Sequence, residues 1–233
     1  MLILGIDTAT RQAGCAIGGH EGVLALAQFG RGRRHAENLA PSIDFLCRHA
    51  QVTLGDIGAV AVDVGPGLFT GLRVGIATAK ALAHALGVPM VGVSSLDLLA
   101  FAVRFSPRLI VAAIDARRGE LFWATYRQVP GGVQRLDDPT VGPPEELAAL
   151  LAARRDEMLL VGDGIERYRS TFEDLPHKVE MADAALAHPS AGSLVTLAHA
   201  QALREQFVGV ADLEPVYLRR PDAEVNWQVR ETV

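Results

Sequence analysis

Apolar positions along the chain follow two periods, and these divide it into strands and helices. Apolar runs with the length of buried strands lie at residues 2–7, 57–64, 89–93, 109–115 and 158–161. Helical spacing of apolar residues lies at 37–50, 69–86, 144–155 and 191–205. The order strand, helix, strand over 57–93 predicts a β-α-β unit, in which the strands are parallel and the helix packs on their sheet.

One strand pattern occurs twice. The first strand ends in Ile-Asp at Asp7, and a second apolar segment follows at 14–17. The strand at 109–115 ends in Ile-Asp at Asp115, and a returning strand follows at 120–126. Chance similarity of two buried strands is the alternative explanation, but the shared order of strand, tight turn and strand favours an internal duplication.

A hinge and two lobes follow from this repetition. The segment 104–108, Arg-Phe-Ser-Pro-Arg, is the predicted hinge. We assign 1–104 to a first lobe, completed by the C-terminal segment 207–225, and 105–206 to a second lobe with a predicted loop at 162–164. The polar residues 226–233 are predicted to be a mobile tail.

Composition is that of a soluble globular protein, with 49% hydrophobic and 21% charged residues. The net charge of −5 argues against a surface that binds nucleic acid by itself, although the basic cluster at 31–34 is either a solvated loop or a contact for tRNA or an acidic partner. Cys15 and Cys47 form no CxxC pair and are expected to be buried free thiols. The N-terminus reads as a strand and no long apolar run occurs, so we expect a cytoplasmic protein without a membrane segment.

The sequence Val-Gly-Pro-Gly-Leu-Phe-Thr-Gly-Leu-Arg-Val-Gly at 64–75 joins a strand to a helix. Thr70 stands where a dinucleotide-binding loop has its third glycine, and no Gly-Lys-Ser/Thr follows for a Walker A loop. Gly71 and Gly75 lie inside the predicted helix, where glycine costs about 1 kcal/mol relative to alanine. Close packing of the helix on its sheet and on a partner is the predicted compensation.

Paired lobes that open with a strand ending in aspartate suggest an α/β protein of the two-lobed actin, sugar-kinase and Hsp70-like (ASKHA) fold, with a reduced second lobe. Four segments carry a closer resemblance: 6–10 (IDTAT), 65–75 (GPGLFTGLRVG), 113–120 (AIDARRGE) and 214–219 (EPVYLR). In this order they resemble the TsaB (YeaZ) family, and they span nearly the whole chain.

The resemblance implies a non-catalytic subunit required for the threonylcarbamoyl modification of adenosine 37 in tRNAs that read codons starting with A. Such a subunit binds and activates TsaD and recruits the ATPase TsaE. It has no cofactor of its own, so ATP or ADP would bind only at the assembled complex, and tRNA only through that complex. Alone, the chain is expected to form a homodimer.

Two enzymatic functions are the alternatives. An ATP-binding kinase or ATPase of the superfold would use Asp7 and Asp115, and a metallopeptidase would need metal ligands. TsaD carries a metal-binding His-x-x-x-His pair, but Ser95 and Leu99 stand at the corresponding positions here, and no two of the seven histidines lie three or four residues apart. We therefore expect no metal site and no catalytic residues.

Asp7, Thr8, Thr10 and Asp115 are the weak candidates for cofactor binding because the superfold holds phosphate groups at these turns. The alternative is that they hydrogen-bond the backbone of the turns, as Asp and Thr commonly do. Ala9 occupies a position where glycine would let the backbone approach a phosphate, which favours the alternative.

The family is expected to pair with TsaD, or with itself, through its first two helices. The residues predicted at this interface are Leu39, Ile43, Leu46, Leu72, Arg73, Gly75, Ile76 and Lys80. Packing of the apolar members on the chain's own sheet, with Arg73 and Lys80 on a solvated stripe, is the alternative.

Overall fold

The computed structural model describes residues 1–30, 35–176 and 178–219. The strands are β1 (Leu2–Asp7), β2 (Ala13–Gly19), β3 (Gly22–Phe29), β4 (Ile57–Gly65), β5 (Met90–Ser94), β6 (Leu109–Arg117), β7 (Glu120–Val129), β8 (Gly132–Arg135), β9 (Thr140–Gly142), β10 (Met158–Val161) and β11 (Val179–Met181). The helices are α1 (His35–Ala50), α2 (Phe69–Leu86), α3 (Ser95–Ala102), α4 (Pro144–Ala152), α5 (Asp163–Arg167), α6 (Arg169–Glu173) and α7 (Ala191–Ala202). The basic cluster at 31–34, the segment 220–225 and the tail 226–233 lie outside the described residues.

The two sheets have the same strand order. The first reads β3-β2-β1-β4-β5, with β1, β2 and β3 antiparallel and β4 and β5 parallel to β1. The second reads β8-β7-β6-β10-β11, with a hairpin of β6 and β7 and with β10 and β11 parallel to β6; β9 also pairs with β7. This shared topology confirms the duplication and the two-lobed actin, sugar-kinase and Hsp70-like fold.

The predicted reduction of the second lobe holds for its helices only. In that lobe α4 has 9 residues and α5 and α6 have 5 each, whereas α1 and α2 of the first lobe have 16 and 18. The second sheet, in contrast, has six strands against five in the first.

Each face of the first sheet is covered by helices. Leu4 and Ile6 of β1 belong to a core shared with α1 and α2, and Ile3 faces the opposite core with Leu194 and Val195 of α7. Since β1 lies at the centre of the sheet, both of its faces are buried and its sequence is continuously apolar. The segment predicted as the second lobe, 105–206, therefore includes one helix of the first lobe, because α7 packs on the first sheet.

Most predicted elements occur within a few residues of their expected bounds. The helix predicted at 69–86 and the strand predicted at 158–161 are confirmed. The loop predicted at 162–164 is wrong, because α5 begins at Asp163. The sequence analysis also missed α3, which is buried between the lobes: Leu96 and Leu99 face the second-lobe core and Leu98 faces the first. This eight-residue helix is mostly apolar, with Asp97 as its one charged residue, so it shows little amphipathic period.

Candidate partner-binding site

Three glycines spaced four residues apart place the start of α2 directly on the β1–β2 turn. A Cβ atom at Gly67 would lie 2.3 Å from the Ala9 carbonyl oxygen, and one at Gly71 would lie 2.1 Å from the Thr8 carbonyl oxygen. At Gly75 it would lie 2.2 Å from Thr8 Oγ1. Any side chain at these positions would displace the helix from the turn, so the glycines serve an internal contact.

Hydrogen bonds close the same contact. The Leu68 N–H donates to the Ala9 carbonyl oxygen at 2.7 Å, and Thr8 Oγ1 donates to the Gly71 carbonyl oxygen at 2.7 Å. The turn and the loop before α2 therefore touch each other. The predicted close packing of this motif is present, but the surface that it packs against is the chain's own β1–β2 turn.

Three of the four candidate cofactor residues hydrogen-bond the backbone of their own turns, whereas Thr8 donates to the backbone of α2. Asp7 Oδ1 accepts the Ala9 N–H at 3.0 Å, and Thr10 Oγ1 accepts the Gln12 N–H at 3.3 Å. In the second lobe, Asp115 Oδ1 accepts the N–H of the residue two positions later at 2.9 Å. These are the contacts expected of Asp and Thr as turn residues, while a role in cofactor binding stays a prediction.

Asp7 at the β1–β2 turn and Asp63 in β4 form a buried pair of carboxyl groups that we did not predict from the sequence. Asp63 Oδ1 accepts the Ser95 hydroxyl at 2.5 Å and the Gly65 N–H at 2.8 Å. Burial raises the pKa of Asp63 to about 6. Burial, followed by the neighbouring charge of Asp63, raises the pKa of Asp7 well above its usual range. The signal was available, since Asp63 is the one charged residue within the strand Ile57–Gly65.

This pair predicts a pH-dependent stability. Because the folded-state pKa of Asp63 is raised, the stability that its protonated form supplies is complete below the unfolded pKa of about 4 and is lost as the pH rises through about 6. In the natural chain this loss of unfolding free energy is up to about 3 kcal/mol between acidic and neutral pH, and we expect it to be absent from the Asp63→Asn variant. Urea unfolding from about pH 3.5 to 8 measures the effect, with Asp156→Asn, at an exposed ion pair, as the control. A variant with the pH profile of the natural chain would contradict the assignment.

The apolar residues predicted to meet a partner lie inside the protein. Their side chains are at most 6% exposed and pack in the first-lobe interior: Leu39, Ile43, Leu46, Leu72 and Ile76. The expectation that Leu39, Leu46, Leu72 and Ile76 reach a partner is therefore corrected, whereas Ile43 also lines a groove between α1 and α2. They hold α1 and α2 against the sheet, and Gly75 faces the β1–β2 turn.

The two predicted cationic residues contact the C-terminal segment of the same chain. Arg73 Nε donates to the Tyr217 hydroxyl at 3.2 Å, and the Arg73 guanidinium lies 3.8 Å from the ring centre of Phe69. Lys80 Nζ donates to the Ala211 carbonyl oxygen at 3.4 Å. Both side chains thus have an intramolecular partner.

A groove between α1 and α2 remains open on the outer side of the first lobe. Its volume is about 800 Å³. Its lining is mostly small or apolar: Ala40, Ile43, Asp44, Cys47, Arg48, Val52, Thr53, Leu54, Ala77, Thr78, Ala81 and Leu82. We call this feature the α1–α2 groove. Ala40, Ala77 and Ala81 are exposed, and Phe45, also on α1, is half exposed.

In the described part of the chain, no helix has the length and apolar character needed to cross a membrane. Over the same residues, no three His, Cys, Asp or Glu side chains lie close enough together to share a metal ion. The two positions compared with the metal-binding histidines of TsaD are both buried: Ser95 binds Asp63, and Leu99 packs in the second-lobe core.

The profile of the family described as "TsaD: tRNA N6-adenosine threonylcarbamoyltransferase" matches residues 30–227. The Escherichia coli "tRNA threonylcarbamoyladenosine biosynthesis protein TsaB" is 31% identical over 222 residues, which cover 94% of this chain and 95% of that protein. The chain belongs to the TsaB (YeaZ) family. The solved structure of YeaZ from Pseudomonas aeruginosa agrees, with a TM-score of 0.81 and 31% identity over 93% of this chain and 99% of that one.

One relative that matches this chain is a longer protein. An uncharacterized protein of Mycobacterium leprae is 35% identical over 230 residues, which cover 95% of this chain but only 56% of that protein. The family resemblance stated from the four sequence motifs is confirmed by these matches.

Proposed function

We propose that this chain is a non-catalytic TsaB-type subunit that binds a TsaD-type protein through the α1–α2 groove. Through that contact it supports the threonylcarbamoyl modification of adenosine 37 in tRNA. The observation that carries the proposal is the groove itself, an apolar depression on the two helices that the family resemblance assigns to partner binding.

The shape of the groove suits a helix. Ala77 and Ala81 lie one turn apart on α2, and Ala40 lies opposite them on α1. Small side chains let a partner helix approach closely, which gives dense packing between helices. Both helices are fixed by buried side chains on their inner faces, so the surface is preformed and little order is gained on binding.

A partner of the TsaD type is favoured because this chain itself matches the TsaD profile. The match covers residues 30–227 and so includes α1 and α2. A TsaD-type partner should carry a corresponding helix pair, and two such pairs can pack against each other around an approximate twofold axis. Phe45 and Leu54, which are 50% and 38% exposed, would add apolar area at the edge of this contact. The same surface could join two copies of this chain when the partner is absent.

The remaining roles follow from a division of labour. The β1–β2 turn packs directly against the loop before α2, and we assign the transfer chemistry to the partner. The assembled complex would bind ATP or ADP, recruit a TsaE-type ATPase and receive tRNA in the cytoplasm. A net charge of −5 suits a subunit that does not hold tRNA alone.

Depletion of the protein in its own host tests this function. The content of N6-threonylcarbamoyladenosine in bulk tRNA is measured by mass spectrometry before depletion, after it and after re-expression. We expect the modified nucleoside to fall on depletion and to return on re-expression. An unchanged content after full depletion would refute the proposed function.

A further inference from the structure

The C-terminal segment 208–219, which we call the strap, is anchored to the first lobe along most of its length. Val208 pairs with Met90 at the edge of β5 through hydrogen bonds of 2.9 and 3.2 Å. Leu213 is 3% exposed and belongs to the core under α1 and α2. The Val216 N–H then donates to the Val64 carbonyl oxygen at 2.7 Å. The strap thus passes the ends of β5 and β4 in turn.

Its last described residues pass to the second lobe. The Tyr217 ring still lies on α2, with its centre 5.3 Å from that of Phe69. Leu218 packs against the core of the second lobe. The Arg219 guanidinium then forms an ion pair with Glu120, with Nη1 and Oε2 separated by 2.6 Å. Consecutive residues of one extended segment therefore contact different lobes.

We propose that the strap sets the relative orientation of the two lobes and that the Arg219–Glu120 ion pair is its releasable latch. The first-lobe end is held by backbone hydrogen bonds and a buried leucine, so it stays attached. Within the described residues, the second-lobe end has the packing of Leu218 and one ion pair whose side chains are 29% and 35% exposed, and such pairs contribute little to stability. A contact of this kind can open without unfolding either lobe.

Glu120 lies at a position from which the latch can restrain one lobe relative to the other. Glu120 begins β7 immediately after the hairpin turn at 117–119, which is the second-lobe counterpart of the turn at Asp7. Tying this turn to α2 restrains rotation of one lobe against the other, a common conformational change in two-lobed proteins. If the proposed function holds, a partner on α2 would also lie beside Tyr217, which is 40% exposed, and so could act on the strap.

A charge swap in the isolated full-length chain tests the latch without any partner. Spin labels are placed at exposed positions of the two lobes, through Ala85→Cys on α2 and Glu173→Cys on α6, and labelling of only these two sites is verified by mass spectrometry. Pulsed electron resonance then gives the distribution of distances between the lobes. The variants are Arg219→Glu, Glu120→Arg and the double swap. The control is a swap of Arg127 and Asp156, which form an ion pair and both belong to the second lobe.

We expect each single variant to widen or shift the distance distribution and the double swap to restore it, while the control swap changes nothing. Circular dichroism verifies that every variant is folded, and Arg219→Ala, which adds no repulsion, should show the smaller version of the same change. Single variants with the distribution of the natural chain would overturn the proposal. So would a double swap that fails to restore it. Because no partner is present, this result is independent of whether the α1–α2 groove binds a TsaD-type protein.

Discussion

The Gly71→Ala variant is expected to lose about 3 kcal/mol of unfolding free energy, although alanine is the better helix former. The added Cβ would lie 2.1 Å from the Thr8 carbonyl oxygen, which is backbone and cannot rotate away. The helix must then move off the turn, which strains the hydrogen bond from the Leu68 N–H to Ala9. Urea unfolding followed by circular dichroism measures the loss.

Gly192→Ala in α7 is the matched control, since it also replaces a helical glycine on the first lobe. There the nearest atom to an added Cβ is Ser190 Oγ at 3.5 Å, an ordinary contact. We expect this variant to be as stable as the natural chain or up to about 1 kcal/mol more stable. If Gly71→Ala matched Gly192→Ala, the contact between α2 and the β1–β2 turn would not be the reason for the glycine.

The Ala81→Arg variant is expected to weaken binding to a TsaD-type partner by at least about 100-fold, which corresponds to about 2.7 kcal/mol. Ala81 is exposed on α2 and lines the α1–α2 groove, so a long side chain there would hold a partner helix away. It would also bring a charge into an interface that is mostly apolar, which costs free energy. Titration calorimetry with the purified partner measures the affinity.

Ala149→Arg is the corresponding change on α4 of the second lobe, where Ala149 is also exposed. Neither substitution touches the core, so both variants should unfold at the urea concentration of the natural chain. We expect Ala149→Arg to bind normally. An Ala81→Arg variant that binds within threefold of the natural chain would place the interface elsewhere.

The sequence predicted the sheet, its duplication and the longest helices because these depend on apolar periods. For the same reason it assigned to a partner surface apolar side chains that pack in the chain's own core. The apolar stripe of an amphipathic helix, here Leu39, Ile43 and Leu46, is the side that the chain buries in its own core. The open face is instead lined by small residues such as Ala77 and Ala81, and a hydrophobic pattern does not distinguish such alanines from a solvated surface.

Contacts between distant parts of the chain were also beyond the sequence. Gly71 and Gly75 inside the predicted helix indicated a close approach, but small residues do not show which surface comes close, and it is the turn at Thr8. Likewise, the strap joins Arg219 to Glu120 across most of the second lobe's sequence, and a single charged pair at that separation leaves no periodic signal.

We propose that this chain acts in tRNA modification by binding a partner at the α1–α2 groove. The most direct test is the content of N6-threonylcarbamoyladenosine in tRNA from depleted cells that express Ala81→Arg or Ala149→Arg at equal levels. We predict that Ala149→Arg restores the modified nucleoside to its original content and that Ala81→Arg does not. Full restoration by Ala81→Arg would contradict the account.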